Sequence, residues 1–147
     1  MDAYEHSVKL LALREHSREE LRQKLIQKGY SREDIDSSLE LLISRGYLSD
    51  ERFASSFIRS RLRKNPEGRT VLVLRLKEKG CSRSVIDNAL SESWNEEEYK
   101  EPLKKAYLKL LKKKDRNYAV QSLMKKGFSI REINEAEEEI QEDGERE

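Results

Sequence analysis

Apolar residues recur at helical spacing along the chain, and one short pattern occurs three times. In its first copy Leu21 and Leu25 lie one helical turn apart, a lysine-glycine pair follows at positions 28 and 29, and Ile35 resumes the spacing. Apolar residues three or four positions apart predict amphipathic helices. A glycine after such a run commonly ends a helix because it can adopt a positive φ. The pattern therefore predicts two helices joined by a tight corner.

The corner glycines Gly29, Gly80 and Gly127 are 51 and 47 residues apart. Each follows a lysine and precedes a bulky residue, a serine and, four positions after the serine, an isoleucine. Matched positions at such a period indicate an internal repeat. The predicted repeats span residues 1–48, 49–93 and 94–143, and residues 144–147 form a frayed acidic tail.

Each repeat is predicted to contain three short helices. The first helix, over residues 3–15, has an apolar face that includes Val8, Leu11 and Leu13. Three other features mark helix ends. A serine three positions before a glutamate has the form of a capping box at residues 17–20 and 129–132, and Asn65-Pro66 can end one helix and start the next.

The predicted fold is all-α, with three tandem three-helix repeats stacked into an elongated, curved array of right- or left-handed sense. Alternation of period two occurs only over residues 71–74, where the repeat register predicts helix. The polar segment 91–102 is the predicted boundary between the second and third repeats. Such an array buries a narrow apolar seam in each repeat and leaves a long exposed surface.

Composition excludes several classes of protein. Apolar residues make up 35% and charged residues 40% of the 147 positions, without an apolar run long enough for a membrane span. The single cysteine excludes an intramolecular disulfide, and its place at a corner predicts a packing residue. His6 and His16 are interpreted as solvated helix residues. Since the chain has no recognisable catalytic or metal-binding motif, we predict that it is not an enzyme and has no cofactor or metal. It is also predicted to be a cytoplasmic monomer without a membrane partner.

The net charge of +1 conceals an uneven distribution. Residues 132–147 contain nine acids and one base, a net of −8, so residues 1–131 carry +9. Residues 59–83 contain nine bases and two acids, and residues 100–116 contain eight bases and two acids. Clustered cations indicate a polyanionic partner.

The candidate partner-binding and DNA-binding residues fall into three groups. The first is a basic face of the middle repeat: Arg52, Arg59, Arg61, Arg63, Lys64, Arg69, Arg75 and Lys79. The second is a basic cluster in the third repeat: Lys104, Lys105, Lys109, Lys112 and Lys113. The third is an apolar strip for a protein partner: Val71, Val73 and Leu74.

Two stretches resemble the RecX family of bacterial recombinase regulators. They are LALREHSREELRQKLIQKGY and RGYLSDERFASSFIRSRLR, which precede two more divergent copies of the lysine-glycine corner. The resemblance implies a protein that lies in the helical groove of a RecA filament on single-stranded DNA. It also implies inhibition of ATP hydrolysis, strand exchange and self-cleavage of the SOS repressor during DNA repair.

The same resemblance places the family's basic middle unit on Arg59, Arg61, Arg63, Arg69, Arg75 and Lys79. The chain departs from the family pattern at the apolar residues 71, 73 and 74. Two alternatives stay open from the residues alone. One is a stand-alone nucleic-acid-binding repeat protein whose helix-corner-helix units dock directly on duplex DNA, and the other is a helical scaffold for protein interactions. For the filament regulator, duplex DNA is expected to be a weak additional partner.

Overall fold

A computed structural model of the chain describes residues 1–146 as nine α-helices without a strand. The helices are α1 (Ala3–Leu13), α2 (Arg18–Gln27), α3 (Arg32–Ser44), α4 (Asp50–Lys64), α5 (Arg69–Glu78), α6 (Arg83–Ser93), α7 (Glu96–Lys113), α8 (Arg116–Lys125) and α9 (Ile130–Arg146). The all-α class and the tandem three-helix organisation are confirmed. None of the helices in this range is long and apolar enough to cross a bilayer.

Local signals place the helix ends where the sequence predicts them. At α2 the Ser17 hydroxyl accepts a hydrogen bond from the Glu20 N–H at 3.1 Å, and the Glu20 carboxylate accepts from the Ser17 N–H at 3.2 Å. Ser129 and Glu132 form the same reciprocal pair at α9. The corner glycine 29 has a φ of 89°, in the region that favours glycine. Capping and corner chemistry therefore define the repeat.

The described chain forms two compact units. Unit 1 comprises Met1–Ser56 and Leu76–Ala89, and unit 2 comprises Phe57–Arg75 and the chain from Leu90 onward. Residues of the predicted second repeat, 49–93, belong partly to each unit. The three-repeat boundaries stay a prediction.

Unit 1 has a core formed by α1, α2 and α3. Its buried residues are Ala3, Leu21, Leu25, Ile35, Leu39, Leu42 and Leu48. The predicted apolar face of α1 is only partly correct, because Val8 is exposed and Leu13 is 82% exposed. Ala3 and Ser7 are buried instead, since small residues allow α1 to approach its neighbours closely. The helix also ends at Leu13, two residues before the predicted end.

His16 and Cys81 are both buried in unit 1. The prediction that His16 is solvated is wrong: its ring Nδ1 lies 3.0 Å from the Arg14 carbonyl oxygen and its Nε2 lies 2.9 Å from the Lys24 Nζ. Burial lowers the pKa of His16, which favours a neutral ring that accepts from Lys24. The interpretation of Cys81 as a packing residue is confirmed, and burial raises the pKa of its thiol to about 12.

In unit 2, α7, α8 and α9 contact one another. Leu103, Leu123 and Ile133 are fully buried, and Trp94 stacks on Tyr99 with ring centroids 4.2 Å apart. The segment predicted as a polar boundary is therefore mostly helical, and only residues 94 and 95 separate α6 from α7. Burial of the two aromatic rings explains why this junction packs rather than forming a linker.

The connection between α4 and α5 differs from the prediction. Helix α5 starts at Arg69 rather than at the Asn65-Pro66 pair, and the carbonyl of Gly68 accepts the first helical hydrogen bond, from Leu72. The Gly68 N–H donates to the Lys126 carbonyl at 2.7 Å. This contact ties the α4–α5 loop to the corner between α8 and α9.

The predicted frayed tail is helical as far as Arg146, and Glu147 lies outside the described residues. Helix α9 extends this far while its inner face forms ion pairs with α7 and α8. Glu137 binds Arg116 at 2.7 Å, and Glu139 binds Lys104 at 2.8 Å. Such pairs offset part of the repulsion among the closely spaced acids.

Candidate anion-binding groove

A groove of about 600 Å³ lies within unit 2. The end of α4, the loop after it, α7 and the α8–α9 corner supply its walls. Its lining residues are Leu62, Arg63, Lys64, Asn65, Pro66, Glu101, Pro102, Lys105, Ala106, Lys109, Leu110, Lys113 and Lys126. The apolar members are buried or half-buried, whereas Arg63 and most of the lysines are exposed. The groove therefore combines an apolar base with cationic edges.

The cations of this groove are largely available to a ligand. Within the described part of the chain, five of them form no ion pair: Arg63, Lys64, Lys105, Lys109 and Lys113. Lys126 donates to the Asn65 side-chain oxygen at 2.8 Å. Glu101, the single acid among the lining residues named above, pairs with Lys104 at 3.1 Å. An anionic ligand would meet little competition from side chains of the groove.

Three lysines of the groove follow one face of α7. Lys105, Lys109 and Lys113 are four residues apart, which places them in a row along the helix. Each step of four residues advances about 6 Å along the helix axis. Arg63 and Lys64 come from the last turn of α4. A row of regularly spaced charges is suited to a ligand with regularly spaced anions, such as a phosphate backbone.

The structure thus brings together members of both predicted basic groups. Arg63 and Lys64 come from the middle-repeat group, and the three α7 lysines come from the third-repeat group. Lys112 is exposed on the same helix but does not line the groove. Lys126 and Asn65 also line the groove but were not predicted as site residues, although the lysine before each corner glycine is part of the repeat pattern.

Other residues of the predicted basic face have structural partners. The buried carboxylate of Glu67 accepts a hydrogen bond from Arg75 at 2.7 Å and lies 3.6 Å from Arg61. Arg61 also lies over the Phe57 ring, 4.9 Å from its centroid. The Glu67 carbonyl accepts from the Trp94 indole N–H at 3.4 Å. Arg61 and Arg75 therefore neutralise a buried acid in unit 2.

Replacement of Glu67 with glutamine is expected to lower the free energy of unfolding by about 1.5 kcal/mol, because it weakens the hydrogen bonds from Arg75 and removes the ion pair with Arg61. Urea denaturation followed by circular dichroism measures the change. Glu92→Gln is the control, since Glu92 is exposed and its side chain forms no ion pair within residues 1–146. Equal stability of the two variants would contradict a structural role for Glu67.

The remaining basic-face residues are dispersed. In unit 1, Arg52 pairs with Glu15 at 3.2 Å and Lys79 pairs with Glu20 at 3.2 Å. In unit 2, Arg59 donates to the Ser93 hydroxyl at 3.3 Å, and Arg69 is exposed. Their partner-binding role stays a prediction, as does that of Arg61 and Arg75.

Two other predicted groups are only partly accessible. Lys104 of the third-repeat group has a side chain that is 13% exposed among acidic partners. Of the predicted apolar strip, Leu74 is 59% exposed, whereas Val71 and Val73 are half-buried. Val71 lies against the corner at Gly127, where an added Cβ would approach its Cγ2 to 2.8 Å. The strip therefore presents one largely exposed side chain.

Family models match the first two three-helix segments. The model described as "RecX, first three-helix domain" matches residues 3–42, and "RecX, second three-helix domain" matches residues 49–90. The regulatory protein RecX of Vibrio vulnificus is 36% identical over 141 residues, which cover 92% of this chain and 91% of that protein. The regulatory protein RecX of Pelodictyon phaeoclathratiforme is 44% identical over 86 residues, which cover 58% of this chain and 54% of that protein.

Solved structures have the same fold. A crystal structure of regulatory protein RecX matches with a TM-score of 0.80 and 25% identity, over 92% of this chain and 71% of that one. RecX from Lactobacillus salivarius matches in fold with a TM-score of 0.78 and 24% identity, over 95% of this chain and 94% of that one. Near-complete alignment with a relative, two matching domain models and the shared fold lead to one conclusion: the chain belongs to the RecX family of regulatory proteins.

Proposed function

We propose that this protein binds RecA nucleoprotein filaments in their helical groove and inhibits the recombinase. The activities lowered are ATP hydrolysis, strand exchange and the repressor coprotease, in DNA repair and the SOS response. The protein acts as a cytoplasmic monomer whose partners are the RecA filament and the single-stranded DNA within it. Membership of the RecX family of regulatory proteins supports RecA as the partner in this proposal.

The cationic groove of unit 2 is the observation that carries the contact with DNA. The five groove cations that lack an ion pair within residues 1–146 can each neutralise a phosphate and release a condensed counterion. For a single strand, five such contacts correspond to a slope of about −3.5 in log K against log salt concentration. The apolar base beneath the charges lowers the local dielectric constant below that of bulk water, which strengthens electrostatic contacts at its edges.

Inhibition follows from attachment at several points. Unit 2 contacts the DNA, and other surfaces of the protein contact recombinase protomers. These surfaces belong to one chain, so binding at one of them holds the others close to their partners. Linked weak contacts give avidity for an assembled filament that a single recombinase subunit does not offer. A protein that bridges neighbouring protomers opposes the relative motions that ATP turnover requires.

An ATPase titration with two charge-reversal variants tests the proposal. Wild-type protein is expected to lower the ATPase rate of a cognate RecA on single-stranded DNA at substoichiometric ratios. Lys109→Glu, which reverses a charge in the groove, should require about tenfold more protein for the same inhibition. Lys112→Glu changes the same charge on the same helix outside the groove and should resemble wild type.

Two results would contradict the proposal. The absence of inhibition by wild-type protein at a one-to-one ratio would remove the regulatory function. Equal loss of inhibition in Lys109→Glu and Lys112→Glu would contradict a role of the groove in inhibition. Both variants change the net charge by the same amount, so the effect would then come from overall charge.

A stand-alone nucleic-acid-binding protein is the second candidate, and the same groove favours it. A stand-alone binder is expected to bind DNA tightly without a recombinase and to bind the RecA filament no more tightly than bare DNA. Comparing affinity for bare single strands with affinity for RecA-coated strands separates the two candidates. A scaffold function through the apolar strip has less support, because Leu74 is its one largely exposed member.

A further inference from the structure

Two lysines of α7 outside the groove are held by the acidic helix α9. Glu139 lies 3.1 Å from the Lys100 Nζ and 2.8 Å from the Lys104 Nζ, and Asp143 lies 3.8 Å from the Lys104 Nζ. Lys104 is 13% exposed, although lysine usually extends into solvent. The hydrogen bond with Glu139 raises the pKa of Lys104, and hydrogen bonds from Lys104 and Lys100 lower the pKa of Glu139. Both lysines are therefore charged, and their ion-pair partners are these acids of α9 together with two acids of α7 itself, Glu96 at 3.5 Å from Lys100 and Glu101 at 3.1 Å from Lys104.

These lysines belong to the same helix as the row that lines the groove. Lys104 is adjacent to Lys105, the first member of the row, and Lys100 lies one turn earlier. Both have flexible side chains of four methylene groups, which can redirect their charges by several ångströms. Without the charges of Glu139 and Asp143, Lys100 and Lys104 would keep only the exposed acids Glu96 and Glu101 as partners, and two more cations beside the row would be open to a ligand.

We infer that Glu139 and Asp143 form an internal mask, which competes with the phosphates of a single strand for Lys100 and Lys104 and limits how many phosphates unit 2 contacts. This inference rests on the proposed function, because it concerns the same surface of α7. The carboxylate of Glu139, 3.1 Å from one ammonium group and 2.8 Å from the other, occupies the position that a phosphate group would take, and Asp143 adds a longer contact at 3.8 Å. The mask would favour the filament, where other contacts add affinity, over bare DNA.

Helix α9 also supplies a matched control. Glu138 and Glu142 are exposed on the same helix, each one residue before a masking acid, and their side chains form no ion pair within residues 1–146. Removing their charges alters the net charge of unit 2 as much as removing the mask does. Any effect of overall charge on DNA binding is therefore common to both variants, whereas release of the two lysines is not.

The test compares E139Q/D143N with E138Q/E142Q in binding to a fluorescent oligothymidine, without recombinase, over a range of salt concentrations. The masking variant is expected to have a log–log salt slope steeper by about 1.4 than wild type, from two additional phosphate contacts. Its affinity advantage over wild type should then fall about sevenfold over a fourfold rise in salt. The control variant should keep the wild-type slope. Adding K100Q and K104Q to the masking variant should restore that slope.

Three outcomes would overturn the inference. Equal slopes in the masking and control variants would overturn the mask while leaving the groove and the regulatory function intact. A steeper slope that persists after K100Q and K104Q would assign the effect to other cations. Absence of binding by both wild type and E139Q/D143N at low salt would overturn the mask and the DNA contact, but an ATPase effect on the filament would still stand. The milder pair E139Q and E138Q gives the same comparison if the double variant unfolds.

Discussion

Replacing Gly68 with alanine is expected to lower the free energy of unfolding of unit 2 by about 3 kcal/mol. An added Cβ would lie 2.2 Å from both the carbonyl carbon and the carbonyl oxygen of Gly127, and 2.4 Å from the Phe128 nitrogen. All three are backbone atoms, so no change of rotamer relieves the overlap. The loop would have to move, which breaks the hydrogen bond from the Gly68 N–H to the Lys126 carbonyl.

The loss should appear as a lower urea midpoint and as weaker inhibition of the recombinase. Both effects are expected because two groove residues of the same loop, Asn65 and Pro66, would move with Gly68. Gly144→Ala is the control: its Cβ meets nothing within 4 Å, and alanine within α9 should stabilise by about 0.5 kcal/mol. An unchanged urea midpoint in Gly68→Ala would mean that the α4–α5 loop does not pack closely against the α8–α9 corner.

The second large effect concerns the pH dependence of unit 1 through Glu20. Burial alone would raise the pKa of Glu20, but hydrogen bonds from Arg14, the Ser17 N–H and Lys79 outweigh it and lower the pKa to about 2 from 4.5. A carboxylate with a depressed pKa stabilises the fold above its unfolded pKa, and this contribution is lost as the pH falls through the folded value. The shift corresponds to about 3 kcal/mol, lost between about pH 4.5 and pH 2.

Glu20→Gln should therefore be less stable than wild type at pH 7 by about 3 kcal/mol, and the difference should shrink in acid. Subtracting the two stability curves cancels the titration of the other carboxylates. Glu40→Gln is the control, because Glu40 is exposed and its side chain forms no ion pair in the described chain. A difference between wild type and Glu20→Gln that is independent of pH would contradict the assignment.

Features of the fold that depend on nearby residues could be predicted from the sequence. The capping box at Ser17 and Glu20 and the corner at Gly29 need only residues within one or two turns, and all are present in the structure. The inward face of α1 could not be predicted, because apolar residues occur on most of its circumference. Which side is buried depends on α2 and α3, which cover Ala3 and Ser7 and leave Leu13 exposed.

The candidate site was predictable only in its parts. Charge density identified Arg63 and Lys109 separately, but their common groove depends on how α4 and α7 pack in unit 2. Arg61 could not be separated from Arg63 by sequence, since the acid that engages Arg61 lies in a loop outside any helical periodicity. Lys104 and Lys105 are neighbours in the chain, yet α9 covers one and leaves the other exposed.

The buried thiol of Cys81 allows local opening of unit 1 to be measured by chemical modification. It is the single cysteine of the chain, and the thiolate that reacts with alkylating reagents is suppressed by a pKa of about 12. Modification therefore requires transient exposure of the side chain. The alkylation rate then reports the opening equilibrium of this unit without an introduced label.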